Sequence, residues 1–459
     1  MENLRPWEKY FWSIILIVLT WGLGYKAQQN VFADILPFGI GFFLIYWHIF
    51  KNVYHTKSIY FFLGLGILLR FSLIFGVPNL SDDIYRFIWD GRLINNGINP
   101  FDHLPSYYMD GTNVVAGLDQ ALYDKLNSPK YFTIYPPVCQ AIFAFSSFVF
   151  PNSIWGNALL MKLFFVAFET GTIVLLVKLL KHFKLSVKNA LLYALNPLII
   201  IELTGNLHFE GPMIFFLCLS LWLLVQKRWR TSAIAIALSI ASKLLPLIFL
   251  PLLIRRLGWK QSFYYFSTVG ITLLLLFAPM INGVFLSNFG DSLNLYFQKF
   301  EFNASIYYLT RFIGFQVKGY NLIQYLGPIL GATAFLSILF IAWRERNIQW
   351  KHLPEAMLFS ICSYLAVTTT VHPWYVSLPV VLCVFTSFRF PILWSGLIWL
   401  TYINYNYSVY SENMWVVGFE YVLVYSLFVY ELVNRPARAS SSSLPVFPAG
   451  VDGNTDLPD

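Results

Sequence analysis

Residues 79–101 read NLSDDIYRFIWDGRLINNGINPF and collect Asp82, Asp83, Arg86, Asp90 and Arg92 in a chain otherwise rich in Leu, Ile and Phe. Two adjacent carboxylates beside a low-dielectric wall repel each other, so one of them binds its proton more tightly or the pair recruits a cation. A carboxylate in that setting can serve as a general base toward a hydroxyl. Asp is also a common helix N-cap, the structural alternative. Arg86 and Asp90 stand four residues apart and can pair on one helix face, which competes with phosphate binding by Arg86 or Arg92. His208 and Glu210 in GNLHFEG, Lys243 in an apolar run and His372 in VHPWY are further polar groups at positions where lipid-facing residues are expected. A Lys in mid-run has far to snorkel, and an ionisable group at membrane depth marks a functional site by default. A buried anion, phosphate above all, is its expected partner. His372 stands before Pro373 at a helix start and can donate to a phosphate or sugar oxygen, or simply join an interfacial aromatic belt.

The elements that must position these groups are membrane helices. The chain has 459 residues, is 57% hydrophobic and only 12% charged, against about 25% charged for a soluble domain. Apolar runs of about 18 residues or more recur from end to end, the mark of an all-α polytopic membrane protein. The net charge of +8 follows from basic cytoplasmic loops and implies no nucleic-acid partner. Cys139, Cys218, Cys362 and Cys383 lie in apolar segments without metal-ligand spacing and read as small hydrophobes. The N-terminus MENLRPWEKYFW precedes an apolar run with no small-residue cleavage site, so it reads as a retained first helix.

Expected spans are 11–26, 31–50, 58–77, 157–180, 188–205, 210–226, 259–281, 322–343, 354–371, 373–389, 391–407 and 415–432, about 12 in all. Residues 1–434 read as one transmembrane domain with outer loops at 78–131 and 282–321, and 435–459 as a disordered polar tail rich in Ser, Pro and Gly. Basic clusters at 51–57, 178–188, 226–230, 255–260 and 343–351 belong on the cytoplasmic side. With the N-terminus inside, loop 78–131 lies outside, and its seven Asp against four Lys/Arg agree. Segment 131–150 then runs along the outer interface or dips and returns, and 231–254 forms a re-entrant pair broken near Ser242, Lys243 and Pro246. The polar clusters thereby converge on the outer side, which suits an enzyme working at that face better than a transporter open to both.

There is no Walker loop and no Gly-rich turn of a dinucleotide fold. A nucleotide-sugar donor is disfavoured, and a lipid-borne donor fits. The order SDDIYRFIWDG, GINPF, IYPP, GNLHFEG, SKLLPLIFLP and VHPWY resembles the GT-C glycosyltransferases, integral membrane enzymes that use polyprenyl-phosphate sugars. Within them it is similar to the bacterial polyprenol-phosphate-mannose-dependent mannosyltransferases and, more distantly, to the first mannosyltransferase of GPI-anchor synthesis. That family carries Asp-x-Asp-Tyr, whereas here the acids are adjacent.

The resemblance spans most of 58–380 and implies a GT-C-type bundle with a catalytic acid in the first large outer loop, Asp83 first and Asp82 second. It implies inverting transfer of a monosaccharide, mannose above all, from a polyprenyl-phosphate donor to a glycan or glycolipid hydroxyl. The setting is the periplasmic side of a bacterial inner membrane. The expected substrate- and phosphate-binding residues are Lys243, Arg86, His372, His208, Glu210 and Tyr135 of IYPP. No cofactor is expected, although the Asp pair leaves a metal possible. A flippase or transporter of a lipid-linked sugar is the alternative from another class.

Overall fold

The apolar runs fold as helices because lipid offers the backbone no hydrogen-bond partners, and a helix satisfies its own. A computed structural model describes residues 4–298, 300–406 and 411–434. The expected tail, 435–459, lies outside the described residues. In chain order the helices are α1 (Pro6–Trp21), α2 (Phe32–Asn52), α3 (Thr56–Phe71), α4 (Asp83–Asn95), α5 (Gln120–Tyr123), α6 (Pro137–Val149), α7 (Ile154–His182), α8 (Leu191–Ala194), α9 (Glu210–Val225) and α10 (Trp229–Ser242). They continue as α11 (Pro251–Leu257), α12 (Trp259–Phe277), α13 (Phe285–Gln298), α14 (Ile306–Lys318), α15 (Ile323–Arg344), α16 (Leu353–Val367), α17 (Ser377–Cys383), α18 (Phe390–Leu397) and α19 (Met414–Val433). The protein is thus an all-α polytopic membrane protein. Among the described residues the sole strand-like pairing is an isolated bridge between Phe302 and Thr370.

Among the described residues, five helices are long and apolar enough to cross a bilayer unaided: Phe32–Asn52, Ile154–His182, Trp259–Met280, Ile323–Arg344 and Met414–Val433. Val187–Ala194 and Ile199–Gly205, bent by 57° across their break, make a sixth together. The remaining expected spans form shorter or interrupted helices. Pro197 lies in the break of the bent pair, where a residue without an N–H interrupts the ladder. In the 231–254 run, α10 stops at Ser242, Lys243 is extended at φ −161°, and a 3₁₀ turn over Leu245–Phe249 leads into α11. The break falls where the sequence places it. Segment 282–321, expected as a loop, carries α13 and α14.

The bundle has two distinct ends. α9 and α10 run antiparallel, tied by Ser239 to the Met213 carbonyl at 2.7 Å and by Ser220 to Ser232 at 2.9 Å. α9 begins at Glu210 beside Lys243 and ends near Trp222, which packs against Lys178 and His182. Lys188 bonds the Lys51 carbonyl at 3.3 Å, and Arg255 bonds the carbonyl of Trp343 at 2.8 Å. The basic clusters therefore gather at one end, and a 16-residue α9 holds Glu210 roughly 24 Å away at the other. Close helix approach stiffens this frame. A Cβ on Gly91 of α4 would stand 2.3 Å from the Phe143 carbonyl of α6, so only glycine permits that contact.

Candidate active site

At the end opposite the basic clusters, the loops between helices bring Asp82 and Asp83 against residues far along the chain. Asp82 is the N-cap residue of α4 by position, though its side chain makes no capping bond. Its carboxylate is exposed, yet the apolar walls around it, and secondarily the charge on Asp83, raise its pKa. Asp83 opens the helix and is half-buried. Its Oδ1 accepts from Asn127 Nδ2 at 2.7 Å, and its Oδ2 faces His208 Nδ1 at 3.8 Å. One carboxylate is thus free-standing and the other is held from two sides.

His208 sits on a turn the chain must strain to make. Leu207 before it has φ +64°, a left-handed conformation that a bulky side chain rarely adopts. The strain aims a buried imidazole at Asp83 on one side and at Glu202 on the other, where Nε2 stands 3.2 Å from Glu202 Oε2 without an aligned N–H. Glu202 is fully buried and accepts from Tyr402 Oη at 2.6 Å and from Asn206 Nδ2 at 3.2 Å. The His208 ring lies on Trp374 with centres 3.5 Å apart and planes 19° apart. His372 stacks on Trp374 at 4.5 Å and 10°, and Phe302 meets His372 at 4.7 Å. A pile of four rings thus links three segments of the chain.

Glu210 and Lys243 form an ion pair in the same region, Glu210 fully buried and the Lys243 side chain 30% exposed. The ammonium also lies 4.8 Å over the Tyr375 ring. Cys139 of α6 packs against the break, its Sγ 3.0 Å from the Ser242 carbonyl, which helps fix where Lys243 leaves the helix. Lys243 keeps an exposed flank on which an anion can bind.

Arg86 is engaged elsewhere. Its Nε bonds Asp90 Oδ1 at 2.8 Å, and its NH1 reaches the carbonyls of Tyr131 at 3.0 Å and Ser128 at 3.3 Å. Asp90 also accepts from Thr133 at 2.5 Å and Gln140 at 3.0 Å. The pair pins the 128–133 loop to α4. Tyr135 joins an aromatic cluster with Phe87 at 4.9 Å and Phe143 at 5.4 Å. Asn303 is buried and donates to Glu420 at 3.2 Å, tying the loop before α14 to α19. No three His, Cys, Asp or Glu among the described residues converge as a metal ligand set. A groove of about 560 Å³ lined by Thr333, Ser337, Phe340 and Ser363 carries no titratable side chain.

The structure thus brings together Asp82, Asp83, His208, Glu210, Lys243 and His372, and sets Arg86 and Tyr135 in the packing behind α4. Sequence reasoning missed Glu202, Tyr402, Trp374 and Asn127. Glu202 carried a usable signal, a lone acid inside the apolar run NPLIIIELTG.

Residues 12–257 match the family model described as alpha-(1->6)-mannopyranosyltransferase, N-terminal domain. The chain is similar to alpha-(1->6)-mannopyranosyltransferase A of Mycobacterium tuberculosis (strain ATCC 25618 / H37Rv), 25% identical over 217 residues, which is 45% of this chain and 40% of that protein. The protein of the same name from Corynebacterium glutamicum (strain ATCC 13032) is 25% identical over 185 residues, 40% of this chain and 36% of the relative. The match spans well under half the length of either relative.

Proposed function

The chain belongs to the alpha-(1->6)-mannopyranosyltransferase family, and from that premise we propose that it moves mannose from a polyprenyl-phosphate carrier to an acceptor hydroxyl on a glycan or glycolipid. Asp83 is the base in this reading. The single observation that carries it is a half-buried carboxylate held by Asn127 at 2.7 Å and faced by His208 at 3.8 Å, beside a solvent-facing Asp82. The acceptor hydroxyl gives its proton to Asp83 as its oxygen bonds to the anomeric carbon. The bond from that carbon to the phosphate oxygen breaks, and its electron pair leaves with the phosphate. One displacement inverts the anomeric centre, through a transition state with oxocarbenium character. The departing phosphate needs positive charge rather than a proton, and the exposed flank of Lys243 supplies it.

The gathering of basic clusters at the opposite end of α9 supports an extracytoplasmic site by the positive-inside rule. Both relatives are named as mannosyltransferases, which favours transfer over transport. The test is purified protein in detergent with radiolabelled polyprenyl-phosphate mannose and mannoside acceptors. Labelled product with an inverted anomeric linkage is expected. Transfer from a nucleotide-mannose but not from the lipid phosphate sinks the donor assignment.

A further inference from the structure

Glu202 touches no surface, yet it stands directly behind the candidate base. Its segment is the short π-helix Ile199–Gly205, which ends the bent pair and projects the turn carrying His208. The placement makes an ordered row: Tyr402 Oη to Glu202 Oε1 at 2.6 Å, Glu202 Oε2 to His208 Nε2 at 3.2 Å, His208 Nδ1 to Asp83 Oδ2 at 3.8 Å. Asn206 donates to Glu202 as well, at 3.2 Å. The donors from Tyr402 and Asn206 fix where the Glu202 carboxylate stands. Each His208 ring nitrogen faces a carboxylate oxygen, and the ring face lies on Trp374, so the imidazole is held from three sides.

We propose that Glu202 is a positioning residue: held by Tyr402 and Asn206, it fixes the His208 ring, and the ring in turn keeps Asp83 aimed at the acceptor hydroxyl. This rests on the reading of Asp83 as the base. Burying an acid beside a histidine inside a lipid-embedded bundle costs desolvation, so a purely structural role would be better filled by an apolar side chain. Other charges reach the same ring. Asp82 adjoins Asp83 in the chain, and His372 lies close enough to His208 and Lys243 to feel both. Lys243 is offset by Glu210. Tyr405 lies within electrostatic reach of Asp83, Glu202 and Asp82. Of all these groups, Glu202 is the one within 3.2 Å of a ring nitrogen.

The experiment is initial-rate kinetics of the full chain with polyprenyl-phosphate mannose, read as kcat against KM for the donor. Glu202→Gln keeps the shape but loosens the hold on His208, so kcat falls at least tenfold while KM for the donor stays near wild type. Glu202→Asp restores the carboxylate and regains part of kcat. If Glu202→Gln is not recovered folded, His208→Gln decides: the same loss of kcat without a change in KM supports the proposal, and wild-type kcat overturns it. A folded Glu202→Gln with wild-type kcat, or with kcat and KM lost together, also overturns it, while an inactive Asp83→Asn leaves the base reading standing. Full turnover by Asp83→Asn overturns both.

Discussion

His208 and Trp374 lie face to face with ring centres 3.5 Å apart, and they come from opposite sides of a boundary in the chain. His208 is inside the segment 12–257 that matches the family model, and Trp374 is more than a hundred residues beyond it. The candidate site is therefore completed by the C-terminal half, which also supplies Tyr402 to Glu202. Trp374→Ala removes the plate between His208 and His372. We expect it to cost about 3–5 kcal/mol of stability, as for other large aromatic truncations, and to lower kcat/KM at least tenfold at temperatures where it stays folded. Trp374→Phe keeps a ring and most of the activity. Thermal unfolding in detergent and initial rates check both.

Asp82 and Asp83 separate by environment. Asp83 is fixed by Asn127 at 2.7 Å, and Asp82 is free of side-chain hydrogen bonds with capping function. Asp83→Asn keeps the shape and removes the base, so turnover falls by about 10²–10⁴, the usual worth of general base catalysis. Asp82→Asn costs less, and because Asp82 carries a raised pKa its removal matters most on the alkaline side, where it is ionised. Single-turnover rates at two pH values separate the two. Equal losses in both variants contradict the assignment.

Arg86 is predicted to act on stability rather than on the donor. It is buried, with Asp90 at 2.8 Å and two loop carbonyls filling its donors. Arg86→Ala strands a buried carboxylate, which costs about 3–5 kcal/mol in comparable pairs. The melting temperature drops, while KM for the lipid-phosphate donor stays near wild type in the folded fraction. A raised KM with an unchanged melting temperature would return Arg86 to the phosphate-binding set.

The sequence exposed groups that are polar where lipid-facing residues are expected: the Asp pair, the His208 turn, the Lys243 break and VHPWY. Each is visible because an ionisable group in or beside an apolar run is costly to place there. Glu202 was equally anomalous but sits within a segment read as one uninterrupted span, 188–205, which bends by 57° across a break that holds Pro197. Arg70 and Glu169 show the same limit. They pair at 2.9 Å across 99 residues, with Tyr193 adding 2.7 Å to the same carboxylate, and no local pattern links α3 to α7. The short helices were hard to read for a related reason. A short helix such as α17 or α18 is stabilised by side chains like Asn196, which bonds Ser395 at 2.8 Å, rather than by its own length.

Lys243 and Glu210 allow charge balance to be separated from donor binding. Glu210 is fully buried, so Lys243→Met leaves an unpaired carboxylate and costs about 1–3 kcal/mol. It also removes the cation proposed for the phosphate, so KM for the donor rises. Adding Glu210→Gln neutralises the stranded acid. The double variant should regain most of the melting temperature and none of the donor affinity. Recovery of both would make Lys243 a structural partner of Glu210 alone.

Glu412 predicts how the loop before α14 responds to pH. Its carboxylate accepts the Asn303 N–H and the Tyr308 hydroxyl, and Asn303 also holds Glu420 and the Tyr421 hydroxyl. This clamp places Phe302, which pairs with Thr370 and packs on His372 at 4.7 Å. Burial, opposed by the Asn303 hydrogen bond and helped by the charge of Glu301, raises the Glu412 pKa from 4.5 to about 7. A carboxyl whose pKa is higher folded than unfolded binds more protons in the folded state. Its stabilisation is complete below pH 4.5 and is lost as pH rises through about 7. The melting temperature should therefore fall between pH 5 and pH 8, and Glu412→Gln, which is neutral throughout, should flatten that fall. The same loop carries Phe302 to the ring pile, so proteolysis at residues 300–305 should quicken over the same pH range in the wild type and not in Glu412→Gln. A wild-type profile that is already flat removes Glu412 as the titrating group.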